Sequence, residues 1–344
     1  MRIDTVAFTK KNADKITLLT PLVAFAVPLL WLFLLNPASF DAMWKGRTFQ
    51  LFFVWLILLE LILGWETLQK GRINKPTKLR LTALLIALLL PTIYVIASNY
   101  LGLNAAIVES SKQNGVYWFN DMPAAVEYLV FAGFFSLMAF LILGLNGLKS
   151  FSIPIVFSVI VGAVFIIDSV YPNGQFTPFQ FLVPATTTLA ANVLGFMGYK
   201  TTLDLSDGSN PVLTVIDPNN LATASHPVAW PCAGIESLLI FTVIMLLFLK
   251  RMPISWQTKL GYFAFGAGVT YVINIFRIIG IFLFELGGGD VNVFHQSYGP
   301  LFPIAWIVSY PLIILGTQSL RHRITSRSKE GLLENSEEPA TKLG

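Results

Sequence analysis

Eight stretches of about 20 mostly apolar residues constrain the fold of this chain more than any other feature. A helix of about this length crosses the hydrocarbon core of a bilayer, so such a stretch with few charges predicts a membrane span. Only 12% of the 344 residues are charged, against roughly a quarter in soluble domains. The sequence therefore predicts an all-α polytopic membrane protein. The predicted spans cover residues 16–35, 48–66, 79–100, 124–146, 151–170, 233–250, 260–286 and 300–320.

Basic residues between the spans predict the orientation. Residues 70–80 carry five basic side chains and no acidic one, which is typical of a cytoplasmic loop. The N-terminal tail and the segment 321–323 are also basic. Eight spans place all three on the cytoplasmic side of the cell membrane, with both termini inside. A ninth candidate at 177–198 would put one end of the chain on the wrong side, so we expect it to lie in the outer interface or to re-enter.

The longest outer segment under this topology covers residues 199–231. Residues 202–205 and 212–216 are of β-forming types and flank a run of turn formers, which predicts a small outer β-hairpin. A hairpin this small has no core of its own, so it should pack on the membrane domain. We expect a single integral membrane domain over 1–320, followed by a polar cytoplasmic tail over 321–344.

Composition argues against several classes of function. The single cysteine excludes an internal disulfide and a multi-cysteine metal site. The histidines, His226, His295 and His322, are widely separated and show no metal-ligand spacing. We therefore predict neither a metal nor another cofactor. The basic residues lie between spans and at the ends, where they orient a membrane protein, so no nucleic-acid partner is predicted.

Cys232 lies where a polar stretch gives way to an apolar run. An attacking cysteine must be a thiolate, and the free N–H groups at a helix N-terminus favour that form. Pro231 suits the first turn of a helix, which predicts that Cys232 lies among those N–H groups. The alternative is a structural cysteine, since a lone cysteine is often a small buried hydrophobe.

Arg277 interrupts an apolar segment. A charge at a bilayer centre costs about 2.5–3.5 kcal/mol on insertion scales, so it normally faces a polar cavity or a partner. Arg277 could stabilise a thiolate or an oxyanion, or it could form a structural ion pair with Glu236 or Glu285. Asn274, one helical turn away, could orient the guanidinium. Glu236, one turn beyond Cys232, could hold the Arg277 guanidinium in place.

His295 lies in the predicted outer loop between the seventh and eighth spans, on the same face as Cys232. A histidine there could act as a base toward the thiol and as an acid toward a leaving amine. A solvated loop histidine is the alternative. His226 is a rival base, six positions before Cys232, in a stretch predicted to be a loop.

Three short motifs in this order resemble the exosortase/archaeosortase family of polytopic cysteine transpeptidases. They are Cys232-Ala233-Gly234-Ile235 at the start of a span, Asn274-Ile275-Phe276-Arg277 in the next span, and His295-Gln296-Ser297-Tyr298-Gly299 in the following outer loop. The similarity is confined mainly to residues 177–315. The glycine-rich approach to His295 and the proline before Cys232 resemble the archaeal branch.

The resemblance implies a sortase-like cysteine peptidase that sorts proteins to the cell surface. Its partners would be secreted proteins with a C-terminal tail of a short motif, a transmembrane helix and a basic cluster. Cys232 would attack near the motif and form a thioester, His295 would shuttle the proton, and Arg277 would stabilise negative charge. The acyl group would pass to an acceptor, with a membrane lipid as one candidate.

Three other functions stay open at this stage. The weakest is a different transferase with an outer-face active site, since no acidic metal-binding pair appears in the predicted outer loops. In a transporter or channel, Arg277 would contact an anionic substrate and Cys232 would be incidental. In a non-catalytic scaffold, the protein would bind such tails without cutting them.

Overall fold

The computed structural model describes residues 2–40, 45–70, 78–171, 182–205, 210–294, 298–299 and 301–336. Within these ranges eight helices are long and apolar enough to cross a membrane, which confirms the predicted polytopic all-α class. The chain forms two compact units, Met1–Phe181 and Leu182–Gly344. The predicted boundary between a membrane domain and a cytoplasmic tail stays a prediction.

The first unit is entirely helical in its described part. Its core is aromatic: the rings of Phe25, Phe53 and Phe135 pack edge to face, with centroids 5.4–5.8 Å apart. Such pairs add stabilisation beyond the apolar area that they bury. The helices are α1 (Arg2–Leu35), α2 (Thr48–Lys70), α3 (Lys78–Tyr100), α4 (Leu103–Gln113), α5 (Met122–Leu143), α6 (Leu145–Ser150) and α7 (Ser152–Val170).

Two buried carboxylates of this unit, Glu127 and Asp168, are paired with cations from the segment that precedes α2. The guanidinium of Arg47 donates two hydrogen bonds to Glu127, at 2.9 and 3.0 Å. Lys45 Nζ lies 3.0 Å from Asp168 and 3.1 Å from Asp121. Because Glu127 is 1% exposed, its charge depends on Arg47 for compensation.

Replacing Glu127 with alanine should destabilise the protein by about 3–5 kcal/mol, since the change leaves the Arg47 charge without its partner. Thermal unfolding in detergent measures this as a lower midpoint. Glu109→Ala is the matched control, because Glu109 is an exposed acid of the same unit. Equal midpoints for the two variants would contradict the ion-pair argument.

The second unit begins with a helix that is too short for a span. Helix α8 (Leu182–Phe196) has 15 residues, against about 20 for a crossing helix. It covers most of the ninth candidate segment, of which residues 177–181 lie outside the described ranges. The later helices of this unit are α9 (Glu236–Arg251), α10 (Trp256–Leu286), the single turn α11 (Val291–Val293) and α12 (Leu301–Ser336).

Three antiparallel strands form a sheet between α8 and α9, in the order β1 (Lys200–Asp204), β2 (Val212–Ile216) and β3 (Thr223–Pro227). The first two strands match the predicted hairpin, whose turn at 206–209 lies outside the described residues. The third strand falls where the sequence predicted a loop. One face of the sheet is buried, with β1 and β2 packed on α8 and β3 packed on α10.

Helix α10 packs closely against α9 and α12. A Cβ atom added at Gly266 would lie 2.4 Å from the rings of both Phe241 and Tyr310, so only glycine permits this approach. Tyr310 also donates a 2.7 Å hydrogen bond to the Tyr262 carbonyl. This packing holds the polar residues of α10 beside the start of α9. The surrounding apolar core consists of Phe241, Met245, Leu249, Ile307, Tyr310 and Ile314.

Candidate active site

Cys232 lies in an irregular turn and not at the N-terminus of a regular helix. Residues Pro231–Ile235 form one π-helical turn, and α9 begins only at Glu236. The break is at Gly234, whose φ of +100° is open to glycine but strained for other residues. The Cys232 N–H donates to the Ala229 carbonyl at 2.9 Å. The prediction that Cys232 lies among free N–H groups is therefore wrong, because its own N–H is bonded and Gly234 separates it from α9.

Asn274 holds this turn in place. Its Nδ2 donates a 2.9 Å hydrogen bond to the Cys232 carbonyl. It also packs on Gly234, where an added Cβ atom would lie 2.9 Å from Asn274 Cγ. The sequence predicted that Asn274 orients Arg277, whereas the structure shows it fixing the backbone of the cysteine. A side-chain bond of this kind replaces a partner that a regular helix would have supplied.

Arg277 follows Asn274 by one helical turn and is 6% exposed. Its positive charge interacts electrostatically with the Cys232 thiol and with the Glu236 carboxyl group. The structure thus places four predicted site residues together: Cys232, Glu236, Asn274 and Arg277. Charges interact strongly in this buried setting, because little water screens them.

Two oxygen atoms of this group are buried without a hydrogen-bond partner among the described residues. They are Oδ1 of Asn274 and Oε1 of Glu236. The Asn274 orientation is fixed, since only its Nδ2 can donate to the Cys232 carbonyl, and Oδ1 is left as an acceptor. Buried acceptors are costly when unsatisfied, so these two oxygens are suited to bind an N–H group of a ligand.

Glu285 pairs with His226 and not with Arg277. The His226 Nε2 atom lies 2.5 Å from Glu285 Oε2, and the imidazole packs 5.7 Å from the Phe282 ring. Glu285 is eight residues beyond Arg277, which corresponds to a separation of about 12 Å along α10. The candidate Glu285–Arg277 ion pair is therefore wrong.

The same geometry removes His226 as the base for Cys232. Asn274, which touches the cysteine backbone, is 11 residues before Glu285, or about 16 Å along the helix. His226 is bound at the Glu285 end, beyond hydrogen-bond reach of the thiol. Its neighbours form strand β3, where the sequence predicted a loop.

His295 lies outside the described residues, together with residues 296 and 297, so its role stays a prediction. Phe294, the residue before His295, packs closely on α10, since a Cβ atom added at Gly280 would lie 2.8 Å from its ring. Gly280 follows Arg277 by three residues. On the other side of the gap, the Gly299 N–H donates to the Phe294 carbonyl at 2.7 Å. The ring of Phe294 therefore contacts α10 about one helical turn beyond Arg277.

Substituting Gly234 by alanine tests the break. The positive φ and the contact with Asn274 should together destabilise the protein by about 1–3 kcal/mol. Thermal unfolding in detergent measures the shift. The control is Gly268→Ala on α10, where an added Cβ atom meets nothing within 4 Å. Alanine at this helical position should stabilise the protein by up to about 1 kcal/mol, because alanine has the higher helix propensity. Similar shifts for both variants would refute a special conformation at Gly234.

Comparison with models of protein families finds a match to the family described as transmembrane exosortase. The match covers residues 43–310, more than half of the chain, and includes all the site residues named above. No curated protein and no solved structure matches the chain.

Proposed function

Because the chain belongs to the transmembrane exosortase family, which has a membrane transpeptidase role, we propose that Cys232 is its catalytic nucleophile. The observation that carries the proposal is the burial of Arg277 beside Cys232, with Asn274 bonded to the cysteine backbone. The Glu236 carboxyl group compensates part of the charge of this buried guanidinium, and a cation beside the single thiol of the chain suits a site that stabilises negative charge. Assignment to the archaeal branch stays a prediction.

In the proposed reaction, the Cys232 thiolate attacks a peptide carbonyl of the substrate. Arg277 stabilises first the thiolate and then the oxyanion of the tetrahedral intermediate. Collapse of the intermediate breaks the C–N bond, releases the C-terminal fragment as an amine and leaves a thioester on Cys232. His295 takes the thiol proton and gives it to the leaving amine. A nucleophile of the acceptor then attacks the thioester and restores the thiol.

The two buried acceptors suit the site to position the substrate as well as to attack it. Asn274 Oδ1 and Glu236 Oε1 would each accept a hydrogen bond from a substrate N–H group beside the scissile bond. Such bonds hold the reacting carbonyl in position, which is a large part of the rate gain in acyl transfer. The Asn274–Cys232 bond fixes the nucleophile relative to those acceptors.

We further propose secreted proteins with a tripartite C-terminal tail as substrates, and a membrane lipid as one candidate acceptor. The site would face outward, with both termini in the cytoplasm. Two features support this orientation. The five basic residues at 70–80 favour the cytoplasm. Cys232 begins the sixth of eight candidate spans, which starts from the outer side if the chain enters from inside.

Substitutions at Cys232 and Arg277 test the reaction directly. Cys232→Ser should yield no cleaved product from a tail-bearing secreted protein made in the same cells, and the uncleaved precursor should accumulate. Arg277→Ala should lower cleavage by about 10²–10³-fold, the loss expected for an oxyanion donor. The matched control is Arg251→Ala, an exposed arginine in the last turn of α9. Electrophoresis of the secreted protein measures all three.

These variants also separate the alternatives. A transporter using Arg277 would keep its activity in Cys232→Ser and lose it in Arg277→Ala. A scaffold would bind the tail in both Cys232→Ala and the wild type, and the wild type would form no cleaved product. Cleavage that depends on Cys232 contradicts both.

Alkylation of Cys232 needs no substrate. A membrane-impermeant thiol reagent should label intact cells from outside, and every label reports on one position because the chain has one cysteine. Arg277→Ala should slow alkylation at pH 7, since an adjacent cation favours the thiolate. Labelling only from the cytoplasmic side would contradict the orientation, and an unchanged rate would contradict the role of Arg277.

A further inference from the structure

Strand β3 lies at one edge of the sheet, and two hydrogen bonds define its pairing pattern with β2. The Val228 N–H donates to the Pro211 carbonyl at 2.9 Å. At the other end, the Asp217 N–H donates to the Ala222 carbonyl, also at 2.9 Å. In an antiparallel ladder, bonded pairs alternate with non-bonded pairs. These two hydrogen bonds therefore determine which residues of β3 bond to β2.

Ala224 and His226 are the residues of β3 that bond to β2 in this pattern. The backbone groups of the alternate residues, Thr223, Ser225 and Pro227, point away from the sheet. These three residues are exposed. Among the described residues, no group accepts a hydrogen bond from the backbone N–H of Thr223 or Ser225. The outer side of β3 is thus an open edge with donors and acceptors ready for another strand.

Side-chain contacts hold this edge rigidly. On the buried face, His226 is bound to Glu285 of α10. On the solvent-facing side of the sheet, the Ser225 and Thr214 hydroxyl groups are hydrogen-bonded to each other at 2.8 Å. A strand fixed on both faces loses little entropy when a partner adds to it, which favours binding.

The open edge leads directly to the nucleophile. Pro227 ends β3, and Cys232 follows five positions later. Pro227 has no N–H group, so the last edge donor is that of Ser225, just before the chain turns toward the cysteine. A peptide that follows this edge in the direction of β3 is delivered to the thiol as the ladder ends.

We infer that the open edge of β3 binds the extended segment that precedes the scissile bond of the substrate, as an added strand parallel to β3. The inference rests on the proposed function, because it assumes a tail that is cut at Cys232. A parallel orientation brings the C-terminal end of the bound segment to Cys232. The transmembrane helix of the tail then continues into the membrane beside α9. An antiparallel strand would lead that helix away from the membrane-spanning part.

The backbone of Ser225 provides the first test. Ser225→Pro removes an N–H that points away from β2, so the ladder of the sheet itself is retained. The expected result is a fall in cleavage of a tail-bearing secreted protein by about fivefold or more, the loss of at least one backbone hydrogen bond. The matched control, Ser225→Ala, removes the same hydroxyl and keeps the N–H, so it should cleave at least about fivefold more than Ser225→Pro. Equal cleavage by both variants would overturn the inference.

Alkylation of Cys232 keeps this test interpretable. Ser225→Pro should be labelled at the wild-type rate, which shows that the fold and the thiol are intact. If the wild type cleaves no tail, the proposed function fails whatever Ser225→Pro does. If the wild type cleaves and Ser225→Pro cleaves equally well, only the edge inference fails.

Disulfide trapping determines the register. In a Cys232→Ser background the chain has no other cysteine, so Thr223→Cys and Ser225→Cys each report on one point of the edge. Single cysteines placed along the tail of the secreted protein should cross-link at alternate positions, since successive side chains of a strand face opposite sides. In a parallel strand, Thr223→Cys reaches tail positions N-terminal to those reached by Ser225→Cys. The reverse order, or cross-links without alternation, would refute the parallel strand.

Discussion

The site depends on one constraint: a backbone group away from water must have a hydrogen-bond partner. Regular helices meet this requirement within themselves, which is why the spans could be located by hydropathy. The turn at Pro231–Ile235 does not, because Gly234 breaks the helix after Cys232. Asn274 supplies the missing partner of the Cys232 carbonyl. The same bond fixes α10 against the turn and thereby brings Arg277 to the thiol.

The membrane architecture could be predicted from sequence because it follows from the length and composition of each segment. The sheet could be predicted only in part. Residues 212–216 include several β-branched side chains, and β2 was recognised. Strand β3 contains Ala224, His226 and Pro227, which have weak preference for strands. It forms because β2 and α10 provide partners, and those contacts are tertiary.

The residues of the site were easier to predict than their geometry. Arg277 is conspicuous because a charge inside an apolar segment is costly to bury, and Cys232 is conspicuous because it is the single cysteine and lies where an apolar run begins. The conformation of Gly234 leaves only a faint signal in the sequence, a glycine two positions after the cysteine, so the sequence predicts a helix start where the structure has an irregular turn. Glu285 lies too far along α10 to pair with Arg277, since eight residues of helix separate the two by about 12 Å.

The constraint that shapes the enzyme also applies to the substrate of the proposed reaction. An extended peptide carries unpaired N–H and C=O groups, so it cannot enter hydrocarbon, whereas the transmembrane helix of the tail can. The scissile bond must therefore lie between an extended segment and a helix. The edge of β3 provides ladder partners as far as Ser225, and the first candidate span after it begins at Cys232. A nucleophile between these two points would reach the peptide where its carbonyl is bonded neither in the added strand nor in the transmembrane helix. In the proposed reaction, the sheet would hold the extended segment and the broken helix would carry the nucleophile that attacks the peptide bond.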